Sequence, residues 1–127
     1  MRVFKTKYFN KWAKKIRLTD VNLVNVSDEI QNGLVDADLG FRLYKKRVAI
    51  GSKGKSGGAR LILAYEQDDK IFFLYGFEKN QRENIAANEL KQLKIIGDKL
   101  IKLNSSQIQA ALKAGELIEL NVKDKGN

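Results

Sequence analysis

The sequence predicts an α+β fold: a small, largely antiparallel sheet with an N-terminal helical hairpin before it and a C-terminal helix after it. Three observations predict it. Apolar residues first recur at helical spacing, the period then changes near Gly40 to runs of branched and aromatic residues, and helical spacing returns from about Ala86. A chain of 127 residues, 43% of them hydrophobic, is long enough for one domain with one modest core.

Arg2 to Phe4 reads as a short strand. Lys7 to Ile16 follows as an amphipathic helix, because Phe9, Trp12, Ala13 and Ile16 fall on one stripe with lysines between them. Thr19 or Asp20 offers the N-cap of a second helix that runs to about Asn32, with Leu23, Val26, Ile30 and Leu34 as its buried side and Gly33 as its stop. A VDADLG connection then leads to three strands, Gly40 to Ile50, Arg60 to Tyr65 and Lys70 to Phe77, with Asp68 and Asp69 marking a tight hairpin between the last two. From about Ala86 to Leu103, Leu90, Leu93, Ile96, Leu100 and Leu103 mark a long helix. Asn104 with Gln107 can cap a shorter one, which Gly115 would end before LIELNV forms a final strand or a partner-binding arm. The last five residues read as a free tail. Residues 1–103 are expected to form the main unit and residues 104–127 a C-terminal extension of the same domain.

Composition narrows the chemistry. With no cysteine there is neither a disulfide framework nor a thiolate metal site, which agrees with a reducing cytosol. With no histidine, the usual general base near neutral pH, the usual zinc ligand and the activating partner of serine or cysteine hydrolases are all missing. Any catalysis must use Lys, Arg, Tyr, Asp or Glu. No apolar run suits a signal peptide or a membrane span, so a cytoplasmic protein is expected.

The charge is concentrated. Between Phe41 and Tyr65 stand Arg42, Lys45, Lys46, Arg47, Lys53, Lys55 and Arg60, with no acidic residue. Taking these seven from the chain's 24 basic residues leaves 17 against 15 acidic ones, so the rest of the molecule is nearly neutral. A local cationic patch is what a polyanion requires, because each phosphate contact releases counterions. Nucleic acid is the leading partner.

The glycine-rich stretch AIGSKGKSGG invites a phosphate-loop reading, which fails because Ala49 stands at the first glycine and a strand follows where a helix must open. The two-residue period of a strand places Lys45 and Arg47 on the face of Phe41 and Leu43, with Lys46 and Val48 on the other. The loop adds Lys53 and Lys55, and Arg60 opens the next strand, so hairpin pairing brings cations to one end of the sheet. The bland reading is a row of solvated edge lysines that discourage aggregation. In GFEKNQREN, Lys79, Asn80, Arg82 and Asn84 offer donors for phosphates and base edges, or simply cap the next helix. Tyr44, Tyr65, Tyr75 and Phe77 could stack on bases, although most are expected in the core. Asp36 and Asp38 are the nearest carboxylates, but they lie in a turn without a partner motif, so neither a metal nor another cofactor is expected.

The words FKTKYFNKWAKK, GLVDADLG, LYKKRVAIGSKGKSGGAR and FLYGFEKNQRENI, taken together and in this order, resemble the RelE/ParE superfamily of bacterial toxins from type II toxin-antitoxin modules, and within it the HigB-like branch. The resemblance covers about Val3 to Leu103. It implies a RelE-like fold, a small sheet with helices on one side, which binds the ribosome and cleaves the messenger RNA held there by attack of a ribose 2′-oxygen on its adjacent phosphate. Cations would replace the missing histidines. A lysine crowded by other cations loses its proton more readily, whereas an arginine stays charged and stabilises a pentavalent phosphate.

Carried across, the lysine pair of the family's basic strand matches Lys45 and Arg47, and the arginine after its Ser-Gly motif matches Arg60, expected to clamp the scissile phosphate. Lys45, Lys46 or Arg47 would carry protons or stabilise charge. The family's arginine after the last strand has Asn80 at its nearest position, flanked by Lys79 and Arg82, and the tyrosine further on is replaced by Ala86. The expected catalytic set is therefore Lys45, Arg47, Arg60, Lys79 and Arg82, with Lys46, Lys53, Lys55, Asn80 and Asn84 holding RNA. A cognate antitoxin with its own helix-turn-helix domain is the implied partner, beside ribosome and messenger RNA. Two alternatives use the same scaffold: a ParE-like, non-enzymatic inhibitor of DNA gyrase, or a non-catalytic RNA-binding module.

Overall fold

In the computed structural model, which describes residues 1–51 and 54–122 without the side chains of residues 55 and 56, six strands form one open sheet. In chain order the elements are β1 (Arg2–Thr6), α1 (Lys7–Lys15), α2 (Asp20–Gln31), β2 (Ala37–Gly40), β3 (Leu43–Val48), α3 (Gly54–Gly57), β4 (Ala59–Glu66), β5 (Lys70–Glu78), α4 (Ala87–Ile101), α5 (Ser105–Lys113) and β6 (Leu117–Leu120). The spatial order is β2-β3-β4-β5-β1-β6, antiparallel throughout except where β1 runs parallel to β5. This is the α+β class expected from the change of period.

The helices cover both faces, not one. Along β4, Ala59, Leu61 and Leu63 belong to an apolar cluster with Phe9, Ala13, Leu23, Val24 and Ile30 of α1 and α2. The alternate residues Ile62 and Ala64 belong to a second cluster with Leu93 and Ile101 of α4 and Ile108 of α5. Strands buried on both sides read as continuous apolar runs, and LILA in β4 and IFFL in β5 are such runs.

Local signals explain most boundaries. The Thr6 hydroxyl caps α1 by accepting from the Phe9 N–H at 3.1 Å, and Thr19 and Asn22 cap α2 reciprocally. At the other end of α2 the Gly33 N–H reaches the Ile30 carbonyl and the Leu34 N–H the Glu29 carbonyl, a Schellman closure that needs the φ of +83° at Gly33. That closure places Leu34 outside the helix and leaves it 56% exposed, so it is not part of the buried side. Asn104 and Gln107 exchange hydrogen bonds at the start of α5, and LIEL pairs with β1 as the sheet's edge. The tail from residue 123 lies outside the described residues.

Two lysines on the α1/α2 face are buried and fasten α2 to the sheet. Lys5 of β1 donates to Asp20 at 2.6 Å and to Asn10 at 2.7 Å, while Lys46 of β3 pairs with Glu29 at 2.9 Å. The expected strand from Gly40 to Ile50 is instead broken by a two-residue turn. Phe41 and Arg42 both have positive φ, +54° and +62°, and VDADLG supplies β2, which pairs antiparallel with β3. The turn escapes sequence inspection because such turns ordinarily show Asn-Gly, not Phe-Arg.

Candidate RNA-cleavage site

The register of three strands brings the cations together. Arg47 of β3 lies directly opposite Arg60 of β4, which in turn lies opposite Phe77 of β5. Lys45 is two residues from Arg47 on the same face, that of Leu43 and α4. Lys79 follows β5, and its N–H donates to the Gly58 carbonyl at 3.0 Å, which ties the post-strand turn to the start of β4. Gly58 is required there, since a Cβ would lie 2.2 Å from the Val48 carbonyl oxygen.

Together Lys45, Arg47, Arg60 and Lys79 line a cavity of about 260 Å³ with two carboxylates, Asp36 and Glu83. Arg60 is the buried member, only 5% exposed, and its Nη1 donates to the Ala59 carbonyl at 3.3 Å. Asp36 organises the rim: its Oδ2 accepts from the Arg47 N–H at 2.7 Å, its Oδ1 lies 3.7 Å from the Arg47 Nε, and its own N–H donates to the Lys45 carbonyl. Like charges directly opposite one another on a sheet are unfavourable. Arg47 and Arg60 are such a pair, with the Asp36 carboxylate beside Arg47.

The remaining expected residues fall elsewhere. Lys46 points to the opposite face, where it is buried against Glu29, because adjacent strand residues alternate sides. It therefore stands apart from the cavity that Lys45 and Arg47 line. Arg82 does not line the cavity: it forms a two-pronged pair with Glu89 of α4, donates to the Tyr75 hydroxyl at 3.2 Å and lies over the Phe77 ring at 5.6 Å. Asn80 is an exposed turn residue, and the Asn84 side chain accepts from the Ile85 N–H. Lys53 and the side chain of Lys55 lie outside the described residues. Asp38 accepts from the Gly40 N–H and serves the turn. Glu83 was missed by sequence reading, whose only cue was its place among donors in GFEKNQREN.

The Glu89 carboxyl is strongly perturbed. The Arg82 guanidinium and the Ala86 N–H hold its carboxyl down to about 2. The same pair raises Arg82, and burial raises the Tyr75 phenol. This clamp borders a larger apolar groove of about 400 Å³ between α4 and the sheet, lined by Tyr8, Leu74, Tyr75, Leu93 and Ile96. That groove has greater volume but no cation in its lining, whereas four cations line the smaller cavity.

The model of one protein family, the RelE toxin of the RelE/RelB toxin-antitoxin system, matches residues 1–120. The chain belongs to the RelE toxin family, and an antitoxin is accordingly its partner. No curated protein matches the chain. Among the described residues, no helix is long and apolar enough to cross a membrane.

Proposed function

We propose that this chain is a ribosome-dependent endoribonuclease of the HigB-like kind, which cuts translated messenger RNA through its own 2′-hydroxyl. The observation that carries this reading is the cavity that the buried Arg60 and the exposed Arg47 and Lys79 line together with Lys45. In the proposed step the 2′-oxygen loses its proton and bonds to phosphorus, the bond to the 5′-oxygen breaks, and that oxygen takes up a proton. The products are a 2′,3′-cyclic phosphate and a free 5′-hydroxyl. Arg60 and Arg47 hold the non-bridging oxygens as charge builds on them. Lys45 and Lys79 carry charge and protons at the two sides, and Glu83 supplies a carboxylate within the same cavity. Arg82 acts at one remove, fixing Tyr75 and the start of α4.

The antitoxin, in the same reading, presents carboxylates to the cationic cavity. Its association is fast and slows as salt is raised. Reaction of the purified protein with programmed ribosomes tests the nuclease. Wild type should cut the message, and Arg60→Ala should cut it on the order of 10²–10³ times more slowly while keeping the native circular-dichroism spectrum. Full activity in Arg60→Ala would remove the site assignment. Supercoiling defects with intact message would instead indicate the gyrase inhibitor.

A further inference from the structure

The turn between β2 and β3 carries a bulky aromatic where the backbone disfavours one. Phe41 is 72% exposed and has a φ of +54°, followed by Arg42 at +62°. A large side chain in the left-handed region is a true outlier, and such strain concentrates at functional positions. The ring does not stand alone. The Lys94 ammonium lies 5.6 Å from its centroid, and Phe41 with Lys91, Lys94, Ile95 and Asp98 lines a shallow cavity of about 280 Å³. Those four residues form one stripe of α4, spaced three, four and seven apart.

We propose that Phe41 and the Lys91–Lys94 ridge form a second RNA contact, in which an unpaired base stacks on the Phe41 ring and its flanking phosphates take the two ammonium groups. This inference rests on reading the chain as an RNA-directed toxin. The position supports it: Phe41 lies against α4, on the face that also bears Lys45 and Arg47. Arg47 lies four residues along β3 from Leu43, about 13 Å, with Phe41 in the turn just beyond. In this proposal one RNA reaches from the cationic cavity to the turn, passing beside the buried Leu43. The chemistry supports it as well, since an exposed ring flanked by cations is the arrangement that binds bases without regard to sequence. In the free protein Lys94 occupies the ring face. A stacked base takes that place and leaves the ammonium for a phosphate. A protein partner would call for a wider apolar surround, whereas Ile95 is the one apolar neighbour in the lining.

The test uses a labelled single-stranded 2′-O-methyl oligoribonucleotide, which lacks the attacking hydroxyl, and an abasic strand of equal length. Wild type should bind the base-bearing strand on the order of tenfold more tightly than the abasic one. Phe41→Asn should erase that difference, and Phe41→Trp should keep it. Because Asn tolerates a positive φ, Phe41→Asn should hold or raise Tm by about 2 °C. Equal binding of both strands by wild type, an undiminished preference in Phe41→Asn, or a fall in its Tm would overturn the proposal. Loss of antitoxin affinity alone would do so too, by making the turn a protein surface. Failure of wild type to cut message on the ribosome would remove the nuclease reading and leave this comparison of strands unaffected.

Discussion

Arg60 and Lys46 show how two buried cations of one basic segment come to face opposite sides of a sheet. Both are buried members of one basic segment, yet Arg60 opens into the cationic cavity while Lys46 points at α2 and pairs with Glu29. Strand alternation made this split legible, since Lys45 and Arg47 were already separated from Lys46 by the two-residue period. What the period could not show was the carboxylate waiting on the far face, because Glu29 is supplied by a helix packed from elsewhere in the chain. Lys46→Ala should therefore destabilise the protein by about 1–3 kcal/mol in chemical denaturation, while RNA affinity stays within about twofold. A large loss of RNA affinity with unchanged stability would return Lys46 to the site. Glu83 illustrates the opposite gap, for a carboxylate in a polar loop has no periodicity to mark it.

At the level of elements, β4 and β5 carry the fold and position the chemistry. Their apolar runs require cover on both faces, whereas the resemblance implies helices on one side. Close approach decides further details. A Cβ on Gly76 would lie 2.2 Å from the Trp12 ring, so Gly76→Ala should cost about 1–3 kcal/mol by thermal unfolding. Trp12→Leu in the same chain should recover part of it. The start of α4 was legible only approximately, because Ala86 offers no capping side chain; Glu89 reaches back instead to the Ala86 N–H at 3.0 Å and is held by Arg82. Since the Glu89 carboxyl sits at about 2 rather than 4.5, its contribution to stability is present above about pH 4.5 and is lost as pH falls toward 2. Acid titration of Tm should be shallower across that window in Glu89→Gln than in wild type. Equal slopes would show that the clamp does not contribute.

For the whole molecule, the charge imbalance and the missing histidine carried most of the functional reading. A net charge of +9 gathered mainly on one strand, one loop and the next strand start gives a steering field, and the sheet register brings three of those cations, Lys45, Arg47 and Arg60, to one cavity that Lys79 also lines. The Phe-Arg turn was illegible because its residues contradict its backbone, and the placement of α4 and α5 on the face opposite α1 and α2 was illegible because helical spacing says which stripe is buried but not against which face. The family match over residues 1–120 agrees with the architecture, and the nuclease reading depends on the cavity. The most direct measurement of that reading is the chemistry of the RNA ends made in a reconstituted translation reaction. New ends within the translated region should bear 2′,3′-cyclic phosphate and 5′-hydroxyl groups and be absent with Arg60→Ala. Intact message during a confirmed block of protein synthesis would contradict it.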